Sequence, residues 1–160
     1  MQDLPKYALW EIERRFLVDP AKLPALDPAS ERRIEDVYLD GGRLRLRAVT
    51  WITTGRREFK LCKKYERDDL LQGPITNLYL TADEHAALAD LPGARLEKRR
   101  FSLPPFGIDV FDDGLVMGEC EAESRAAALA VETPPWATRD VTDDPAFSGW
   151  SLAQAGLSLD

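Results

Sequence analysis

The chain has 160 residues, 44% of them hydrophobic and 31% charged, and a formal net charge of −7. That length suits a single domain, taken as 1–160, with a real core. The acidic balance argues against nucleic-acid binding through bulk charge, and no stretch approaches the ~20 apolar residues that a bilayer span needs.

Alternation from Trp10 to Val18 predicts a first strand over 8–18. Side chains on a strand alternate between its faces. Glu11, Glu13 and Arg15 therefore share one face, opposite Trp10, Ile12, Phe16 and Val18, with Arg14 as the charged exception. An irregular connection or short helix follows as far as Pro28. Strands are predicted at 32–39 and 43–53, joined by a hairpin turn at Asp40-Gly41-Gly42. On the second of these Arg43, Arg45 and Arg47 face one way and Leu44, Leu46 and Ala48 the other. After Thr54-Gly55 a strand over 57–64 places Glu58, Lys60, Cys62 and Lys64 together. Residues 65–74 read as a charged loop, its Glu66-Arg67-Asp68-Asp69 run solvated or, at the mouth of a barrel, ordered around a ligand, and 75–81 reads as a short strand.

Thr81 followed by Glu84 fits a capping box, so a helix is expected over 82–91. Strands follow at 96–103, 107–111 and 115–122, separated by Pro104-Pro105 and Asp112-Asp113-Gly114. Ser124 caps a helix over 125–131, and Asp144-Pro145 opens a last one that runs to Ala155 and stops at Gly156. The fold class is α+β: many antiparallel strands in a meandering sheet or barrel with a few peripheral helices. The four tryptophans read as packing residues. Cys62 and Cys120 form no disulfide framework. His85, the sole histidine, sits on a helical stretch, which leaves little room for Ser-His or Cys-His catalysis.

The charges cluster by sign. Glu11 and Glu13 repeat at i, i+2, as do Glu119 and Glu121, and Arg43, Arg45 and Arg47 do the same. A solvated sheet face also alternates, but like-charged neighbours repel, so such a face mixes signs. Paired carboxylates suit a shared hard divalent cation, and forked guanidinium donors suit phosphate oxygens. Acids for metal beside bases for phosphate make a site for a metal-bound polyphosphate, which a closed barrel can present from all its strands.

Glu-Ile-Glu-Arg-Arg at 11–15 resembles the Glu-x-Glu-x-Lys signature of the CYTH superfamily, the triphosphate tunnel metalloenzymes. Arg43-Leu44-Arg45-Leu46-Arg47, Lys60-Leu61-Cys62-Lys63-Lys64, Glu97-Lys98-Arg99-Arg100, Ile108-Asp109-Val110-Phe111 and Gly118-Glu119-Cys120-Glu121 resemble its further motifs in order. Pro134-Pro135-Trp136 and Val141-Thr142-Asp143-Asp144 resemble its C-terminal region. The resemblance implies a closed tunnel of eight antiparallel strands and a metal-dependent hydrolase of a triphosphate, typically inorganic triphosphate. It implies Glu11, Glu13, Asp109, Glu119 and Glu121 as ligands of Mg²⁺ or Mn²⁺, with Asp109 alternatively supporting an adjacent base. It implies Arg15, Arg45, Arg47, Lys60, Lys64, Lys98 and Arg100 as phosphate-binding residues. Glu11, Glu13, Arg15 and Lys98 would carry catalysis.

Two departures stand out. Arg15 replaces the signature lysine and cannot deprotonate. The stretch 73–80, where the family commonly adds acids, has no carboxylate. Three readings follow: a triphosphatase, acting on inorganic triphosphate or on an organic one such as thiamine triphosphate or ATP; a non-catalytic polyphosphate- or nucleotide-binding tunnel; and a plain barrel with an apolar ligand. The expected partner is a small-molecule triphosphate, with no nucleic acid and no membrane. The oligomeric state stays open, a homodimer included. Residues 1–5 lack the regions of a signal peptide, so the expected location is cytoplasmic.

Overall fold

A computed structural model describes residues 3–155. Its strands are β1 (Leu9–Val18), β2 (Arg32–Leu39), β3 (Leu44–Trp51), β4 (Arg57–Lys64), β5 (Gln72–Leu80), β6 (Gly93–Leu103), β7 (Phe106–Phe111), β8 (Val116–Glu121) and β9 (Ala137–Asp140). Its helices are α1 (Ala82–Ala89), α2 (Arg125–Leu129) and α3 (Gly149–Ala155). Eight strands form a closed antiparallel barrel in the order β1-β5-β4-β3-β2-β6-β7-β8, as expected from the sequence, with β9 added outside the ring. None of the described helices is long and apolar enough to cross a membrane.

β1 closes the barrel because its two edges are used differently. One edge pairs with β8, from Glu13 opposite Glu121 to Leu17 opposite Met117. The other is shared: Leu9–Ile12 pair with β5, and Phe16–Val18 pair with β9. Between them the Arg15 N–H donates to Thr142 Oγ1 at 3.0 Å and the Arg15 carbonyl accepts from Val141 N at 2.9 Å. No edge of β1 is left open.

The period-two pattern sorts side chains into shells. Outward, Val37, Leu39 and Leu46 pack beneath α1 through Leu88 and Ala89. Phe16, Val18, Ile108 and Val116 pack against Trp136, which meets Phe106 edge-on at 4.9 Å. Inward, there are two levels. Tyr38, Leu96, Phe111 and Met117 form an apolar floor closed by Val141 and by Leu152 and Ala153 of α3. Two residues further along the same strands, Asp36, Lys98, Asp109 and Glu119 begin the charged level.

Local signals account for most boundaries. Gly41 takes φ 81° in the β2–β3 hairpin, a conformation that costs other residues about 1 kcal/mol or more. The Thr81–Glu84 capping box is present, and Ser124 Oγ accepts from Ala127 N at 3.1 Å to start α2. Arg14 is outward as read, and its guanidinium donates to the Ala128 and Val131 carbonyls at 2.9 and 3.3 Å and to Asp140 at 2.5 Å. The charged exception on the apolar face of β1 thus ties the end of α2 and β9 to the barrel.

Some boundaries differ from expectation. β5 begins at Gln72 because Gln72, Gly73 and Pro74 pair with β1, which their weak strand propensity does not signal. β6 begins at Gly93, where a side chain would collide with the Tyr38 carbonyl at 2.4 Å. The expected last helix is interrupted: Pro145–Phe147 make a 3-10 turn, and Ser148 Oγ accepts from Ser151 N at 3.2 Å to restart the chain as α3. Its expected stop at Gly156 lies outside the described residues. β9 was not expected.

Candidate functional site

The barrel encloses a cavity of about 960 Å³ whose lining runs from Leu44 to Trp51 along β3, and so from one end of the barrel to the other. Ten basic side chains face it with five glutamates, in a chain whose net charge is −7. The charge is therefore partitioned, with cations gathered inside and the acidic excess outside.

β3 supplies Arg45 and Arg47, both buried. Asp36 on β2 is fully enclosed and holds Arg47 as a fork, Nε to Oδ1 and a terminal nitrogen to Oδ2, each 2.7 Å. Arg45 Nε lies 4.0 Å from the same carboxylate. Burial alone would raise the Asp36 pKa, but Arg47 and Arg45 outweigh it and hold it at about 2. Lys60, across from Arg47, has no carboxylate partner among the described residues, and burial with the nearby Arg47 and Arg45 charges lowers its pKa.

The second cation group sits on β6. Lys98 Nζ donates to Asp109 Oδ2 at 2.6 Å, and Arg100 donates to Asp109 at 2.6 and 2.8 Å. Arg100 also meets Glu119 Oε2 at 2.5 Å, with Lys98 4.0 Å from Oε1. Asp109 is 0% exposed and is not among the cavity-lining side chains. Both its oxygens accept from Lys98 and Arg100, an arrangement that matches the alternative reading of Asp109 as a support for adjacent bases.

The carboxylates of β1 and β8 face these cations. Glu11 accepts from Lys64 Nζ at 2.8 Å, and despite burial that pair and Arg45 lower its pKa. Glu119 is held well below the usual carboxylate range because Lys98 and Arg100 override its burial. Glu13 differs. Burial, then Glu119 and Glu11, push its pKa up to about 7, and no ion pair relieves it among the described residues. Glu121, in register with Glu13, is exposed at the cavity rim. Arg15 is buried and donates to the Phe147 and Thr142 carbonyls at 3.3 and 3.2 Å. Its Nε, like the Nε of Arg45, has no hydrogen-bond partner. A buried donor left unpaired costs about 1–3 kcal/mol, so both guanidinium groups carry an unmet hydrogen-bonding demand.

Every expected phosphate-binding residue (Arg15, Arg45, Arg47, Lys60, Lys64, Lys98, Arg100) lines the cavity, as do Glu11, Glu13, Glu119 and Glu121. β5 contributes Ile75 and Asn77 and no acid. Sequence reasoning missed Asp36, whose alternation with Ile34 and Tyr38 was the available signal. It also missed Arg32, which reaches the lining beside Trp51, and Arg67 from the 65–71 loop. Trp51, taken for a packing residue, is at the cavity margin with the Arg56 guanidinium 4.3 Å from its ring centre.

The chain matches no protein-family model and no curated protein. Among solved structures it is similar to the crystal structure of the inorganic triphosphatase NE1496, with 27% identity and a TM-score of 0.57 over 93% of this chain and 95% of that one. A second crystal structure, of the hypothetical protein NE1496, matches with 27% identity and a TM-score of 0.56 over 94% and 99%. The likeness spans the whole barrel, and with it the fold that carries an inorganic triphosphatase.

Proposed function

We propose that this protein is a triphosphate tunnel metalloenzyme of the CYTH type that hydrolyses inorganic triphosphate with Mg²⁺ or Mn²⁺ in the cytoplasm. The observation that carries the reading is the cavity lined by ten basic side chains, in which buried Arg15 and Arg45 each keep an Nε without an acceptor. A flexible polyanion with many equivalent oxygens is the ligand that satisfies such a surface. The likeness to a protein named as an inorganic triphosphatase supports the same substrate.

The donor set fits a hard divalent cation of a particular kind. Among the described residues no three acidic, histidine or cysteine side chains are gathered as a cage. Mg²⁺ needs no such cage, since it is usually held by one or two carboxylates, waters and substrate phosphates. Glu13 is the first candidate because burial, and then its neighbours Glu119 and Glu11, make its negative charge costly without a cation. Glu11, Glu119 and Glu121 would complete the set. When bound with the phosphate chain, the cation would draw charge from the reacting phosphoryl group and orient a water.

The chain's own residues do the rest. Arg45 and Arg47, fixed through Asp36, and Lys98 and Arg100, fixed through Asp109, hold the phosphate oxygens in a prearranged frame. Arg15 adds a further guanidinium donor. The transition state of phosphoryl transfer is largely dissociative, so neutralisation and positioning suffice without a nucleophilic side chain. Cys62, the one thiol on the inward face of β4, is 0% exposed beside Arg45.

The test is phosphate release from inorganic triphosphate, pyrophosphate, ATP and thiamine triphosphate with each metal, for wild type, Glu13→Gln and Glu121→Gln. Triphosphate turnover by wild type, reduced about 100-fold or more in Glu13→Gln, is expected. A folded wild type that releases no phosphate in either metal refutes the enzyme reading. The acid-free inner face of β5 favours one alternative, a binding module without turnover; tight triphosphate binding with no hydrolysis would establish it.

A further inference from the structure

Arg67 lies in the loop between β4 and β5, a stretch that composition alone assigns to solvent. Glu66 and Asp68 are indeed exposed, but Arg67 is half-buried and lines the cavity. Its stem is seated on Gly73. A methyl group built at Gly73 would stand 2.7 Å from Arg67 Cδ, 3.2 Å from Cβ and 3.5 Å from Cγ. Gly73 faces inward from β5 opposite Glu11, so its missing side chain is the space through which Arg67 enters.

The loop is pinned where this requires it. Asp69 Oδ1 accepts from Leu71 N and Gln72 N at 3.0 and 3.1 Å, and its Oδ2 meets Arg125 of α2 at 2.6 Å. The Leu71 side chain is buried against Ile12 and Ala128, and its carbonyl accepts from Glu13 N at 3.1 Å. The arginine is therefore held over the β1 end of the cavity by a fixed segment. No ion pair ties it to a carboxylate among the described residues. The charges that act on it most are Arg15, Glu11, Glu13 and Arg43, two of them like-signed.

We propose that Arg67 is a phosphate-binding residue of the cavity, delivered over Gly73 beside Arg15 to grip a phosphate group of inorganic triphosphate. This rests on the triphosphate reading above. On the inner face of β5, where no carboxylate is present, a loop arginine adds positive charge and shifts that side of the site from metal towards anion. Burial and the neighbouring Arg15 charge lower the Arg67 pKa, as expected for a cation whose counter-charge comes from a ligand.

Calorimetric titration of inorganic triphosphate separates this inference from the one beneath it. Arg67→Ala should bind about tenfold or more weakly than wild type, the range for a lost charge-assisted hydrogen bond. Arg67→Lys should fall between them, because it keeps the charge without the fork. Gly73→Ala leaves the charge in place but displaces the flexible stem, and should also weaken binding. Arg33→Ala, whose partners Glu97 and Glu35 lie outside the barrel, should bind as wild type does. Arg67→Ala binding like wild type overturns the proposal and leaves the triphosphate reading standing. Gly73→Ala binding like wild type overturns the role of the cradle. A wild type that takes no triphosphate overturns both.

Discussion

The cavity has two sides with opposite electrostatic designs. On the side of β2, β3, β6 and β7, each carboxylate is saturated: Asp36 holds Arg47 and approaches Arg45, and Asp109 holds Lys98 and Arg100. On the side of β1 and β8, carboxylates crowd one another, and Glu13 is left with a pKa near 7 beside Glu119 and Glu11. The first side is complete as it stands and presents rigid cations. The second is incomplete and asks for positive charge. Residues of the same chemistry thus serve as scaffold on one wall and as ligand-seeking groups on the other, and enclosure decides which. Asp109 is 0% exposed, whereas Glu13 and Glu121 open to the cavity.

If that contrast holds, the largest effect belongs to the saturated side. Asp109→Asn leaves Lys98 and Arg100 without their shared anion, and breaking a buried charge pair from one side costs about 3–5 kcal/mol. Denaturant unfolding measures it; a loss below about 1 kcal/mol would show that Asp109 is not holding this wall.

Glu13→Gln should do the reverse, and pH should reveal it. A carboxylate whose folded pKa, about 7, lies above its ordinary value of 4.5 keeps its proton in the folded state longer than in the unfolded one. Between those two values the folded state binds more protons, so wild-type stability should fall as pH rises from about 4.5 to 7. By linkage that fall is at most about 3–4 kcal/mol. Glu13→Gln should flatten this part of the profile and be the more stable protein at pH 8. A variant with the wild-type slope would remove Glu13 from the argument.

A divalent cation should act on the same group. At pH 8, Mg²⁺ at tenfold its dissociation constant should stabilise wild type by about 1.4 kcal/mol, seen as a raised Tm, and Glu13→Gln by much less. Equal shifts in both would place the cation elsewhere. An effect of similar size lies outside the barrel and spares the site. Arg14→Ala gives up donors to the Ala128 and Val131 carbonyls and to Asp140, and should cost about 1–2 kcal/mol while leaving triphosphate affinity unchanged.

The strand faces were legible in the sequence because alternation is local: Glu11 between Trp10 and Ile12, and Arg45 between Leu44 and Leu46, each declare their face through their apolar neighbours. What alternation cannot give is depth along the barrel. Asp109 and Glu119 both point inward, yet one is sealed behind Lys98 and Arg100 and the other reaches the cavity. The difference arises from the offset of β6 on β7, where Arg100 sits opposite Asp109. Nor does local pattern report pairings between distant segments. Gly73 and Pro74 read as loop because neither favours a strand, and β1 recruits them nonetheless. Arg67 was hidden for the same reason, since its place depends on a glycine six residues on, in the first residues of β5, which the sequence does not announce. β9 was missed because four residues after two prolines carry no period of their own.

The division of labour between the walls is tested most directly by titrating inorganic triphosphate into the protein with and without Mg²⁺, for wild type and Glu13→Gln. With the anion held by one wall and the cation by the other, both proteins should bind triphosphate alone. Mg²⁺ should tighten the complex in wild type about tenfold or more, the scale of a 1.4 kcal/mol coupling, and should have little effect in the variant. Triphosphate that fails to bind wild type, or Mg²⁺ that tightens both proteins equally, would contradict the account.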